Sequence, residues 1–280
     1  MKIAAVLKLL LIVAVVTYAA VMAAMYVLQR RLIYVADPTR TQPADVGLTG
    51  VIERVLETPD GEKIITWYGK AQPGQPTILY FHGNGGALEI RRDRIRKYLD
   101  RGRGMLMMAY RGYSGSTGTP TEPSNVADAL LAYDTLIGDG IAAGDIIIYG
   151  ESLGAAVGIQ VAAARPVRAL VLDSPFTSLL ERAKLSYPWL PVRLLLKDWY
   201  MSRDHIKRVT VPVFVLHGEL DEVTPATMGR ALFAEANAPK EIVVLPGAGH
   251  NDQYLFGSFE AINAWIDRVW RGEIAAPEVK

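Results

Sequence analysis

The 280-residue chain contains no cysteine. That excludes disulfides, thiolate metal sites and a cysteine nucleophile together, and it leaves the redox compartment open, because a chain without thiols is indifferent to it. Surplus charge is missing as well. Lys+Arg number 30 and Asp+Glu 29, for a net charge of +1. Nucleic-acid binding rests on an excess of cations, so no nucleic-acid partner is expected. Histidine is scarce, at four residues, which narrows the search for a proton carrier. With half of its residues hydrophobic, the chain has enough apolar surface to fold, and disorder is excluded.

Charge is absent altogether from Leu9 to Leu28. This is about the 20 residues that a helix needs to cross a bilayer. Lys2 and Lys8 precede the run, and Arg30 and Arg31 follow it. The rival reading is a cleaved signal peptide, with Val21-Met22-Ala23 or Met22-Ala23-Ala24 as passable sites. A signal core usually spans about 7–15 residues, and this run is longer. The expectation is a single-pass anchor over residues 1–28. Basic residues flank both of its ends, so orientation stays open.

Residues 29–50 read as an extended connector, because Pro38 and Pro43 oppose helix. Val51–Glu57 and Lys63–Tyr68 flank the turn Pro59-Asp60-Gly61 and predict an antiparallel hairpin. From Thr77 onward, short apolar runs alternate with helical stretches. The runs are Thr77–Phe81, Met105–Ala109, Ile146–Tyr149, Leu170–Leu172, Val211–Leu216 and Ile242–Leu245. Too short for helices and apolar on both faces, they predict strands of a covered parallel sheet. Leu88–Leu99, Val126–Ile137, Leu153–Ala164, Ala226–Ala236 and Glu260–Trp270 are the helical candidates. This alternation defines an α/β class, a mostly parallel doubly wound sheet. Residues 176–208 interrupt it with an insertion rich in large apolar groups, among them Trp189, Leu190, Leu194, Leu195 and Trp199. Such a segment is expected to cover something. No internal repeat, low-complexity tract or second-domain boundary is visible.

Gly150-Glu151-Ser152-Leu153-Gly154 follows the IIIY run and opens a small-residue helix. G-x-S-x-G between strand and helix is a nucleophile elbow, in which a strained turn projects the serine and the glycines allow close packing. A serine hydroxyl needs a base. His82 and His217 end strands and read as loop-orienting residues, and His205 reads as surface. His250 lies in the glycine-rich loop Pro246-Gly247-Ala248-Gly249-His250 after the last strand and is the candidate base. Asp221, between Ser152 and His250 in the chain, is the candidate acid, with Asp173 as its competitor. For an oxyanion the candidate donors are the backbone N–H groups of Leu153 and of Asn84, neighbours of Asn84 being alternatives. The basic stretch from Arg91 to Arg103 reads as a solvated helix face, or as a contact for anionic headgroups.

The motifs HGNGG (82–86), YRGYSGSTG (110–118), GESLG (150–154), DSPFTS (173–178), HGELDEVTP (217–225) and GAGHND (247–252) together resemble the α/β-hydrolase superfamily, and more narrowly its Bem-type, bud-emergence-related branch. The resemblance implies an α/β-hydrolase domain over residues 51–272 with a helical cap-like insertion, an N-terminal membrane helix and a short tail over 273–280. It implies a serine hydrolase without metal or organic cofactor, acting on ester or acyl substrates, lipids included. A serine peptidase on the same triad, or a non-catalytic membrane scaffold, are the other readings, and protein partners stay unknown. The insertion is expected to roof the Ser152 pocket, with Trp189 and Trp199 among the groups that meet an acyl chain.

Overall fold

A computed structural model describes residues 2–275. Eight strands among the described residues form one sheet in the order β1-β2-β4-β3-β5-β6-β7-β8. β1 (Val51–Glu57) and β2 (Lys63–Gly69) are the expected hairpin, and β2 also runs antiparallel to β4 (Gly104–Met108). β3 (Thr77–Phe81), β5 (Ile146–Glu151), β6 (Ala169–Asp173), β7 (Val213–Gly218) and β8 (Lys240–Leu245) continue in parallel with β4. Every residue of β3, β4 and β6 is buried, which is why these runs are apolar throughout rather than alternating. β7 starts one residue after Pro212, whose carbonyl still accepts the Leu170 N–H at 2.9 Å. A proline at that edge spoils no ladder bond.

The direction of the crossovers sets the layers. The connection from β3 to β4 carries α2 (Arg92–Leu99), whereas those leaving β4, β5 and β7 carry α3 (Glu122–Gly138), α4 (Leu153–Ala164) and α8 (Ala226–Glu235). β4 and β5 lie on opposite sides of β3. Right-handed crossovers leaving in opposite directions place α2 on one face and the other three on the other. The C-terminal helix α9 (Ser258–Trp270) joins α2, with the Tyr98 and Phe259 rings 5.2 Å apart. α3 starts at Glu122, four residues before the expected Val126, because Thr121 caps it by accepting the Ser124 N–H at 3.1 Å. The strand order reverses between β3 and β5, so a crevice opens at their carboxyl ends, where α/β sheets bind ligands.

Two features lie outside this frame. α1 (Lys2–Ile33) passes Leu28 and runs five residues into the stretch expected to be an extended connector. No glycine or proline interrupts the chain before Pro38, and the Gln29 side chain finds partners in the insertion. The insertion itself holds three short helices, α5 (Leu179–Ser186), α6 (Val192–Leu195) and α7 (Ser202–Ile206). Leu180, Leu190 and Val192 form a small apolar cluster there, into which Met22 and Met25 of α1 pack.

Candidate active site

Ser152 sits between the end of β5 and the start of α4 with φ 51° and ψ −111°, a conformation that L-residues avoid. The two glycines of GESLG make the turn possible. A Cβ on Gly154 would lie 2.0 Å from the Phe81 carbonyl oxygen, and one on Gly150 would lie 2.4 Å from the Gly154 carbonyl oxygen. Neither position tolerates a side chain. The Ser152 N–H donates to the Asp173 carbonyl at 2.8 Å, which holds the elbow to β6.

The crevice brings Ser152, His250 and Asp221 together. Ser152 Oγ faces His250 Nε2 at 3.2 Å, and His250 Nδ1 donates to Asp221 Oδ2 at 2.6 Å. Asp221 Oδ1 accepts the Thr224 N–H at 2.6 Å. A second imidazole reaches the same carboxylate: His217 Nε2 donates to the Thr224 carbonyl at 2.7 Å and lies 3.3 Å from Asp221 Oδ2. Burial opposes the Asp221 charge, yet the bonds from His217, His250 and Thr224 outweigh it and hold the carboxyl well below its ordinary range. Burial likewise disfavours a His250 imidazolium, and Asp221 reverses that, raising His250 above its ordinary value.

The competitor Asp173 is placed elsewhere. Its carboxylate accepts the Tyr149 hydroxyl at 2.6 Å and lies 3.9 Å from Arg94. Burial raises its pKa despite that cation. His82 Nδ1 bonds the Gly83 carbonyl at 2.6 Å, and burial, with Arg91 nearby, depresses the ring to about 3. His205 bonds Arg208 near the surface.

Leu153 and Asn84 both border the space over Ser152. Their backbone N–H groups donate to no acceptor among the described residues. Other groups of Asn84 are engaged: its amide donates to the Ile33 carbonyl at 3.0 Å, and its carbonyl accepts the Val35 N–H at 3.0 Å and the Tyr113 hydroxyl at 2.7 Å. The end of α1 and the YRGYSGSTG segment therefore hold the HGNGG loop from both sides.

Residue reading missed a charged group behind the elbow. Glu151 meets Arg94 at 2.7 Å and Arg91 at 3.6 Å, and accepts the Tyr80 hydroxyl. Burial alone would raise this carboxyl; the two arginines and the tyrosine lower it to about 2. Arg91 also donates to the Gly85 carbonyl at 3.0 Å. Arg91 and Arg103 are buried, while Arg92, Arg96, Lys97 and Arg101 are exposed. The basic stretch is thus a solvated face only in part, since Arg91, Arg94 and Arg103 turn inward to carboxylates. A spacing of three between Arg91 and Arg94, on the stripe shared with buried Ile95 and Tyr98, was the available signal.

A cavity of about 220 Å³ opens over Ser152. α1 supplies one wall with Met25, Gln29, Leu32 and Ile33, and the insertion the other with Leu179, Ala183, Leu190, Val192 and Leu196. Among the described residues Arg182 is the one charged side chain along it. Trp189 and Trp199, expected here, do not line it. Trp189 is 55% exposed beside Tyr18, and the Trp199 indole N–H donates to the Leu196 carbonyl at 2.7 Å within the small apolar cluster. Among the described residues no cluster of His and acidic side chains is arranged to hold a metal ion.

A serine on a strand-to-helix elbow, at the carboxyl edge of a parallel sheet and within reach of a histidine, defines the class of α/β hydrolases. A family model described as alpha/beta hydrolase fold matches residues 76–200. Human alpha/beta hydrolase domain-containing protein 17B is 32% identical over 217 residues, covering 73% of this chain and 71% of that one. A protein of Mycobacterium tuberculosis described as uncharacterized reaches 42% over 230 residues, 81% and 82% of the two chains. Fission-yeast bem46 shares 33% over 198 residues (67% and 66%), and zebrafish lysophosphatidylserine lipase ABHD12 shares 32% over 211 (68% and 53%). An esterase structure from Pyrococcus furiosus superposes with a TM-score of 0.68 at 19% identity, over 84% of this chain and 97% of the other. The chain belongs to the alpha/beta hydrolase family, with the Bem-type resemblance borne out by these relatives.

Proposed function

We propose that this chain is a membrane-anchored serine hydrolase that cleaves carboxylic ester or thioester bonds of acyl substrates. Ser152 Oγ attacks the carbonyl carbon while His250 Nε2 takes its proton. Asp221 fixes the Nδ1–H tautomer and stabilises the imidazolium. The oxyanion is received by the N–H groups of Leu153 and Asn84, the former at the positive end of α4. His250 then protonates the leaving group, and water, deprotonated by the same imidazole, releases the acyl group from Ser152. The observation that carries this reading is the continuous chain from Ser152 Oγ to Nε2 at 3.2 Å and from Nδ1 to Asp221 at 2.6 Å.

The cavity supports an acyl substrate. Its 220 Å³ has room for on the order of seven water-sized groups, at about 30 Å³ each, beyond an acetyl group, and its walls are chiefly apolar. The lipase activity named for the zebrafish relative is consistent with this. A fluorophosphonate should label Ser152, and Ser152→Ala should abolish labelling and ester turnover, the latter by on the order of 10⁶ in kcat. Labelling that persists in Ser152→Ala overturns the nucleophile. Activity across acyl esters of graded length should rise with chain length. A maximum at acetyl would exclude the long-chain substrate.

A further inference from the structure

We propose that α1, besides anchoring the chain, is one wall of the substrate site, and that the acyl chain of a bilayer lipid reaches Ser152 by passing between α1 and the α5–α6 insertion. This rests on Ser152 being the nucleophile.

Tyr18, Met22, Met25, Gln29 and Ile33 follow one another at spacings of three and four, so they form one stripe of α1. Each is engaged. The Tyr18 hydroxyl donates to the Trp189 carbonyl at 2.9 Å. Met22 and Met25 pack on the cluster of Leu180, Leu190 and Val192. Gln29 is buried, donates to the Leu195 carbonyl at 2.9 Å and accepts the Lys197 N–H at 2.8 Å. Ile33 lines the cavity and accepts the Asn84 amide at 3.0 Å. Next to the stripe, Arg30 pairs with the buried Asp198 at 2.9 Å.

The stripe spans about 22 Å of helix, at about 1.5 Å per residue. Its lower end touches the loop that carries the candidate oxyanion donor. Its upper end lies inside the uncharged Leu9–Leu28 run, at a depth where a bilayer would hold acyl chains. Met25 and Leu32 stand between the two on the cavity wall. Above them, Trp189 is exposed at a ring distance of 6.4 Å from Tyr18 and so shares its depth. A chain entering along this seam leaves lipid, parts the Met22 and Met25 contacts with the insertion and passes Leu32 on the cavity wall before it reaches Ser152. A substrate arriving from water has no need of the helix.

The chain lacks cysteine, so Met25→Cys carries a single thiol, and its reaction with a maleimide reports access to the α1 wall. The full-length protein, in detergent, is first treated with ethyl or dodecyl fluorophosphonate. In each case the Ser152 Oγ–P bond forms, fluoride leaves, and the proton passes to His250. The dodecyl adduct should slow Met25→Cys labelling severalfold while the ethyl adduct leaves it unchanged. Val13→Cys, high on the exposed part of α1, should be indifferent to both. As a second measurement, Met25→Trp should lower kcat/KM for dodecanoyl relative to acetyl esters by about tenfold, the loss of roughly two buried methylene contacts. Equal effects of the two adducts on Met25→Cys, or an unaltered chain-length profile in Met25→Trp, overturn the proposal. Should neither reagent attach to Ser152, the nucleophile reading fails first and takes this one with it.

Discussion

On the proposed mechanism His250 takes the Ser152 proton only while Nε2 is bare, so the acid limb of the pH profile should report its ionisation. Burial pushes the imidazolium down, Asp221 at 2.6 Å pushes it up, and the net shift is upward from 6.5. Activity should therefore rise with pH through a midpoint above 6.5 and be lost below it. Asp221→Asn removes the stabilising anion but leaves the burial, so the midpoint should fall below that of the parent. The altered tautomer should also lower kcat by about 10⁴. A pH–rate profile of both proteins on a soluble short-chain ester measures each effect. An identical limb in the two would place the titrating group elsewhere. Glu151 is the residue beside the candidate nucleophile, and its anion is paired with both Arg91 and Arg94, so the elbow is not backed by an unpaired negative charge that would oppose a developing oxyanion.

At the scale of elements, much was legible because the physics is local. Burial on both faces makes β3, β4 and β6 continuous apolar runs, and all three were visible with ends correct to a residue or so. Ser152, His250 and Asp221, which the structure brings together, each stand out as candidates from a motif after a strand, since α/β sheets bind ligands at their carboxyl edge. What stayed hidden depends on long-range partners. The five extra residues of α1 exist beside an insertion that meets Gln29 and Arg30, 166 and 168 positions away. The apolar content of the insertion promised a cover but not which side chains face inward, and Leu190 and Leu196 do so where Trp189 does not. Asp198 concentrates this coupling: it is 1% exposed and accepts from Arg30 at 2.9 Å and from the Glu122 N–H at 3.1 Å. Asp198→Ala should thus loosen α1 and the start of α3 against the insertion together, while Gln29 and the Glu122 carboxylate keep their own bonds to it. Arg30 keeps access to water, so the expected loss is that of charged hydrogen bonds, about 1.5–3 kcal/mol. Hydrogen exchange should rise across residues 187–199 and at the start of α3 in this variant, while β3, β5 and β6 stay protected. Exchange that rises evenly over the sheet would contradict a local latch.

For the whole molecule the question is whether α1 remains attached and where it lies. Residues from Ile3 to Val16 are exposed in a helix long and apolar enough to cross a membrane. Water is an unfavourable neighbour for that surface, at about 25 cal/mol per Å² of apolar area. A signal peptide presents the same composition, so apolarity alone does not separate the two fates. The contacts of the lower stripe support retention. Cleavage after Ala23 or Ala24 would remove Tyr18 and Met22, expose the cluster under Leu180 and Leu190, and leave a frayed turn to hold Gln29 and Arg30 in place. A segment that completes the fold is a poor candidate for removal. The full-length chain should therefore sediment with membranes through high-salt and alkaline washes and be released by detergent. Its mature N-terminus, read by sequencing the membrane-bound protein, should lie upstream of Leu9. A soluble product whose first residue falls near Ala24 would show that most of α1 is a leader, and Met25, Gln29, Leu32 and Ile33 would then line the cavity without the helix that precedes them.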